Sequence, residues 1–289
     1  KWLVLQALEH HWQRADVLAK VTASDEVEIT ATNVKAMTIA PPVGVDGAPI
    51  NIAIFINRPR TAKTDPTIIY KNYHPGRPIA LLLTKDGWKI QPLTGMHKSP
   101  GLQGPIDDAL FSPIIAVRGT GAVINSASDT WLKSELDRFR TSWGIYFRGT
   151  LPEKQDTDIT DEDIKTKNLY LFGDPSSNKI LARIAGELPI KWTKDKISIG
   201  DKSYSTTDHL PMFIFPNPLN SEKYVVINTG MTFSTKDMMG SNALQYPHLP
   251  DYAIIKFDAN HFTDDRKTDV QLAGFFDEEW KLPKVVTAK

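Results

Sequence analysis

Between Met96 and Gly104 the hydrophobic rhythm of this chain changes, and the change limits what each side of it can fold into. Before it, apolar and polar residues alternate. Val27, Ile29 and Ala31 alternate with Glu28, Thr30 and Thr32, the period-two pattern of a strand with one buried face. Val17 to Val21, Lys35 to Ala40, Ile50 to Ile56 and Ile79 to Thr84 read as further strands, and Trp88 and Ile90 share one face of a return strand. Asp86-Gly87 sits where a tight hairpin turn belongs, and Pro41 to Pro49 is turn chemistry. Many short strands between Pro- and Gly-rich turns predict a small β-sandwich.

Beyond the segment MHKSPGLQG, which reads as a linker, apolar runs alternate with helical spacing. Ile114 to Val117 is a short apolar run. Ser128 or Asp129 is placed to N-cap a helix from Thr130, in which Trp131, Leu132, Leu136, Phe139 and Trp143 recur at helical intervals. Thr160 and Asp161 cap a second, short helix. Asn168 to Phe172 is a buried-strand run, and Ser176 to Leu188 an amphipathic helix. Ile197 to Ile199, Met212 to Phe215, Tyr224 to Asn228 and Tyr252 to Phe257 read as strands. The predicted fold class is therefore α/β with an N-terminal all-β part: a small β-sandwich followed by a three-layer α/β domain with a mostly parallel sheet. The predicted domains are 1–98, in which 1–16 is a lead-in helix or strand, and 99–289.

Composition narrows the function classes. At 289 residues the chain has room for about two domains. Lys plus Arg and Asp plus Glu both number 34, for a net charge of zero, whereas binding through phosphate neutralisation calls for a basic excess. Nucleic acid is therefore not an expected partner. No apolar run reaches the roughly 20 residues of a membrane-spanning helix. With no Cys there is no disulfide framework and no thiolate nucleophile or ligand. A chain that opens on Lys1 with an element already under way, and no leader pattern, reads as a processed precursor or as a piece of something longer, the second being favoured.

The strongest ligand-binding candidate is the strand-to-helix turn Gly173, Asp174, Ser176, Ser177, Asn178. Ligands in open α/β sheets bind beyond the carboxyl ends of strands, and a helix N-terminus offers N–H donors to an anion. The competing reading is structural: Asp174 or a serine caps the helix and Pro175 occupies its first turn. Asn228 and Gly230, at another strand end, form the second candidate.

Asp107 and Asp108 are a possible acidic pair for a cation or for acid/base work. Against that, neighbours on an extended segment point to opposite faces, so the two equally well cap a turn or pair with Arg118. His10, His11, His74, His97, His209, His248 and His261 show no metal-ligand spacing, and Asp251, Asp258 and His261, a group that invites a metal or triad reading, read rather as solvated loop residues. No nucleotide-binding glycine motif occurs, so neither metal nor cofactor is predicted. No G-x-S-x-G elbow is present. Gly240-Ser241-Asn242 comes nearest but lacks a preceding apolar strand. No catalytic residue is assigned.

The strings LEHHW, GLQGPIDDA, NLYLFGDPSSNKILARIAGELPIKW, FPNPLNSEKYVVINTGMTF, LPDYAIIKFD and AGFFDEEW occur in that order. They resemble the C-terminal region of large secreted bacterial proteins similar to prolyl-oligopeptidase-like serine hydrolases. The resemblance covers nearly the whole chain, most densely from Gly101 to Trp280. It implies an α/β-hydrolase catalytic domain as partner, upstream in the same precursor or as a separate chain, and a secreted or periplasmic location. It places no catalytic residue on this sequence. Three readings follow: a non-catalytic accessory region that packs on, or presents substrate to, a serine peptidase or esterase; a free-standing module for a small anionic or carbohydrate ligand; or a hydrolase with an unrecognised site.

Overall fold

The computed structural model describes residues 1–44, 48–58, 64–232, 248–257 and 269–283. The chain divides into two compact units, Lys1–Pro100 with Asp277–Trp280, and Gly101–Phe276 with Lys281–Lys289. The first unit thus takes in Asp277–Trp280, a segment far along the chain.

Among its described residues the first unit is all β. It contains β1 (Leu3–Leu8), β2 (Asp16–Ala23), β3 (Glu26–Thr32), β4 (Val34–Ile39), β5 (Ile50–Ile56), β6 (Ile68–Tyr73), β7 (Ile79–Thr84) and β8 (Gly87–Ile90). They form two four-stranded sheets, ordered β1-β4-β7-β8 and β2-β3-β5-β6. One apolar core draws on both: Val27, Ile29, Ile52 and Ile54 from one sheet, and Met37, Ile39, Ile79 and Leu81 from the other. The alternation on β3 explains its orientation, because Val27, Ile29 and Ala31 are buried while Thr30 and Thr32 are exposed. The lead-in is strand β1, and His10 and His11 lie in the turn after it. The segment read as a linker is tied down by Lys98, which is buried with its ammonium 5.0 Å from the centre of the Trp280 ring.

The second unit contains β9 (Ile114–Arg118), α1 (Ser126–Phe147), β10 (Glu153–Gln155), α2 (Asp161–Thr166), β11 (Asn168–Phe172), α3 (Lys179–Ile184), β12 (Lys191–Trp192), β13 (Lys196–Ile199), β14 (Lys202–Ser205), β15 (His209–Asn217), β16 (Asn220–Ile227), β17 (Tyr252–Lys256) and β18 (Asp269–Gly274). Its main sheet runs β10-β9-β11-β16-β15-β17-β18, and β12-β13-β14 form a small antiparallel sheet. The main sheet is mixed, not mostly parallel. The β10/β9, β9/β11 and β11/β16 pairs are parallel, and the β16/β15, β15/β17 and β17/β18 pairs antiparallel. The physical cause lies in the connections. Asn217 and Asn220 face each other across a two-residue loop, where Leu219 donates to the Asn217 side chain at 2.9 Å. So short a loop forces an antiparallel pair.

Two helix starts differ from the sequence reading. Asn125, not Ser128 or Asp129, caps α1: its side chain accepts from the Ala127 N–H at 2.9 Å, while the Ser128 hydroxyl donates back to the Asn125 carbonyl. The helix expected from Ser176 to Leu188 is shorter, because a separate turn occupies residues 174–177. On α1, Trp131 and Leu132 pack with Leu210 and Met212 of β15 and Ala253 and Ile255 of β17. Further along α1, the Phe139 ring stands 5.0 Å from that of Tyr170 on β11. No helix among the described residues is long and apolar enough to cross a membrane.

Candidate functional site

At the carboxyl end of β11 the chain turns sharply at Gly173, whose φ is +129°. Asp174 is buried, and its carboxylate accepts four hydrogen bonds. Oδ1 takes the Ser176 N–H (2.8 Å), the Ser177 N–H (3.0 Å) and the Ser176 hydroxyl (2.7 Å), and Oδ2 takes the Ile124 N–H (2.8 Å). Asn178, not Asp174, is the N-cap of α3: its Oδ1 accepts from Ile180 and Leu181, both at 3.1 Å. Its Nδ2 ties the turn to the Val117 and Phe172 carbonyls. Pro175 therefore lies in the preceding turn and not in the helix. The remaining early donor, the Lys179 N–H, goes to Asp156 at 2.7 Å. The N–H groups on which an anion would sit already have internal acceptors.

Asn228 joins this turn. Its Oδ1 accepts from the Gly173 N–H at 2.9 Å, while its own N–H donates to the Leu171 carbonyl. Gly230 points elsewhere, its N–H donating to Glu135 on α1 at 3.3 Å. The structure thus brings Gly173 to Asn178 and Asn228 together and gives Gly230 to a different cluster.

Asp107 and Asp108 lie on a 3-10 turn, Ile106–Phe111, and separate. Asp107 is buried and accepts from the Thr232 N–H at 2.9 Å and from the Thr232 hydroxyl. Asp108 accepts from the Tyr224 hydroxyl at 2.6 Å. Neither is paired with Arg118. The cation whose charge Asp107 feels is Arg138, which itself pairs with buried Glu135 and donates to the Met231 carbonyl at 2.8 Å. Burial pushes the Asp107 carboxyl up, against the pull of Thr232, Arg138 and the exposed His248. Burial also lowers the Arg138 guanidinium to about 10, against the charge of Asp107. The sequence reading of α1 followed its apolar residues and passed over Glu135 and Arg138. Their i,i+3 spacing was the available signal.

A crevice of about 80 Å³ opens where β9 and β11 end, lined among others by Arg118, Val123, Leu132, Leu136, Phe172 and Ser177. A second, broader concavity of about 700 Å³ lies at the amino ends of the strands, where Asp161, Lys165, Arg183, Glu222 and Lys223 surround it. Among the described residues no cluster of three His, Asp or Glu is placed to hold a metal. Asp251 is not solvated: it is buried and accepts from the Phe276 N–H at 2.9 Å, while Asp258, His261 and Gly240-Ser241-Asn242 lie outside the described residues. Comparison with protein-family models, curated proteins and solved structures finds no match to this chain.

Proposed function

We propose that this chain is a non-catalytic accessory region, working beside an α/β-hydrolase catalytic domain of the serine peptidase or esterase type in a secreted or periplasmic protein. The observation that supports it best is the closed turn at the end of β11. Asp174 and Asn178 accept from the Ser176, Ser177, Ile180 and Leu181 N–H groups, at the strand-to-helix position where this class of sheet otherwise displays reactive or anion-binding groups. The hydrolase partner itself rests on the resemblance of the sequence strings.

The same reading includes a three-layer second unit. The chain passes from β9 through α1 to β10 on one side, then from β10 through α2 past β9 to β11 on the other. Right-handed crossovers in opposite directions would put α1 and α2 on opposite faces of the sheet.

Fluorophosphonate labelling, with p-nitrophenyl esters and prolyl peptides as substrates, tests the functional proposal. The purified chain is expected to show neither labelling nor turnover, and the catalytic domain supplied with it to show both. A labelled serine in this chain, with ester turnover, overturns the accessory reading.

A further inference from the structure

Strands β9 and β11 are neighbours whose connections leave in opposite directions, which makes the gap between their carboxyl ends the topological switch point of the parallel part of the sheet. Open α/β sheets bind ligands at such points. The crevice of about 80 Å³ lies there. Gly119 and Gly121 shape it by letting the loop after β9 lie against the turn: a Cβ on Gly119 would stand 2.4 Å from the Ser177 carbonyl oxygen, and one on Gly121 2.6 Å from that of Ser176.

The chemistry of the lining is split. Val123, Leu132, Leu136 and Phe172 make an apolar wall, while Arg118, at the end of β9, is exposed and its side chain has no ion-pair or hydrogen-bond partner among the described residues. The other charges are matched. Lys133 pairs with Asp129 at 2.6 Å, and Asp174 is surrounded by its four donors. Among the described residues that line the crevice one cation remains unmatched, and it is a guanidinium, whose planar fork suits a carboxylate. An inorganic dianion would set charge against the apolar wall and gain nothing from it. The volume, well below the roughly 300–1,000 Å³ of pockets for drug-sized ligands, admits only a small alkyl group.

We propose that the crevice between the carboxyl ends of β9 and β11 binds a carboxylate carried on a small branched alkyl group, with the carboxylate on Arg118 and the alkyl group against Val123, Leu132, Leu136 and Phe172. A free short-chain acid and the C-terminal valine of a peptide share this chemistry. The site is independent of the hydrolase partner and of the anion position at the α3 N-terminus, whose donors are filled.

The test is titration of the full chain with isovalerate, followed by saturation transfer to the ligand methyl groups and by calorimetry, with N-acetyl-alanyl-valine and its C-terminal amide alongside. Isovalerate is expected to bind in the millimolar range, as suits so small a ligand. Isovaleramide, the peptide amide and phosphate are expected not to compete. Binding of the peptide acid as well as isovalerate would assign the site to peptide termini, and binding of isovalerate alone would assign it to free acids. Arg118→Gln should weaken binding about tenfold or more, because a charge-assisted bidentate contact is lost. Val123→Trp, which fills the apolar side, should abolish it. Absence of isovalerate binding at roughly 50 mM, beyond the range expected for a ligand of this size, overturns the proposal. So does unchanged affinity in Arg118→Gln, an exposed position whose variant keeps the fold.

Discussion

The Tyr224 hydroxyl donates to Oδ2 of Asp108 at 2.6 Å and accepts from the buried Gly104 N–H at 3.1 Å. One phenol on β16 thereby holds two points of the segment that enters the second unit. The Ile106 N–H reaches the Pro250 carbonyl at 3.3 Å, and Asp107 takes the Thr232 N–H and hydroxyl. The strings GLQGPIDDA, FPNPLNSEKYVVINTGMTF and LPDYAIIKFD thus meet in one polar node. LEHHW and AGFFDEEW meet likewise, where the His11 N–H donates to Glu278 at 2.6 Å and the His11 ring pairs with the same carboxylate. Distinctive residues in these strings are spent on joining distant parts of the chain.

Tyr224→Phe keeps the ring and its packing but removes both bonds. A carboxylate loses a donor and a buried N–H loses its acceptor, so the expected cost is about 1.5–3 kcal/mol. Urea unfolding should show a lower midpoint with an unchanged slope. A midpoint equal to that of the parent chain would mean that water replaces the phenol at no cost.

Gly230→Ala should destabilise the second unit by overpacking. A Cβ at this position would stand 2.3 Å from Cγ of Phe139, whose ring also packs on Tyr170. Forcing α1 or its ring to shift costs about 1–3 kcal/mol. Paired with Phe139→Ala, which removes Cγ and the ring, the change should cost less in thermal unfolding than it does alone. Additive effects in the double variant would contradict the contact.

Acid stability should depend on Asp163. This buried side chain accepts from Lys154 and Lys167, both at 2.7 Å, and from the Thr160 N–H at 3.0 Å. Burial alone would raise its pKa, but the hydrogen bonds from Lys154, Lys167 and Thr160 outweigh burial and hold the carboxyl well below the usual range. A pKa lower in the folded than in the unfolded chain gives stability that is fully present above the unfolded value of about 3.9 and is lost as pH falls below it. Asp107 acts in the opposite sense. Its raised pKa makes ionisation costly to the folded state, and that cost fades as pH falls toward the unfolded value. Urea midpoints across this range should fall less steeply below about pH 4 in Asp163→Asn than in the parent chain. Parallel curves would remove Asp163 from the acid transition.

The β part was legible because its signal is local. On β3 the alternation of Val27, Ile29 and Ala31 states which face is buried, and the structure buries those three. Strand β6 went unread because Ile68, Ile69 and Tyr70 are consecutive and do not alternate, as suits an edge strand with Ile69 exposed. The parallel core at β9, β11 and β16 was visible as buried runs, but the direction of β15, β17 and β18 depends on connections that hydrophobicity does not encode. At the candidate site the residue types were right and their partners were not. Nothing local says that Asp174 would reach Ile124, 50 positions away in sequence, or that Asn178 would take over the cap.

The closed turn makes one further prediction, which separates a filled site from an empty one. Replacing Asp174 by Ala removes the acceptor for the Ile124, Ser176 and Ser177 N–H groups at a buried position. The expected loss is about 1–3 kcal/mol, the range for a lost cap and for buried donors left unpaired. The vacated space is then a nest of N–H groups without the competing carboxylate, which suits a small anion. Phosphate should therefore raise the unfolding temperature of Asp174→Ala by mass action. In the parent chain the same addition should give only the small general effect of an excluded salt. The readout is the difference between the two chains in thermal scans at matched ionic strength. An equal response in both would show that the anion acts elsewhere and that the donors at the end of β11 stay closed even when Asp174 is gone.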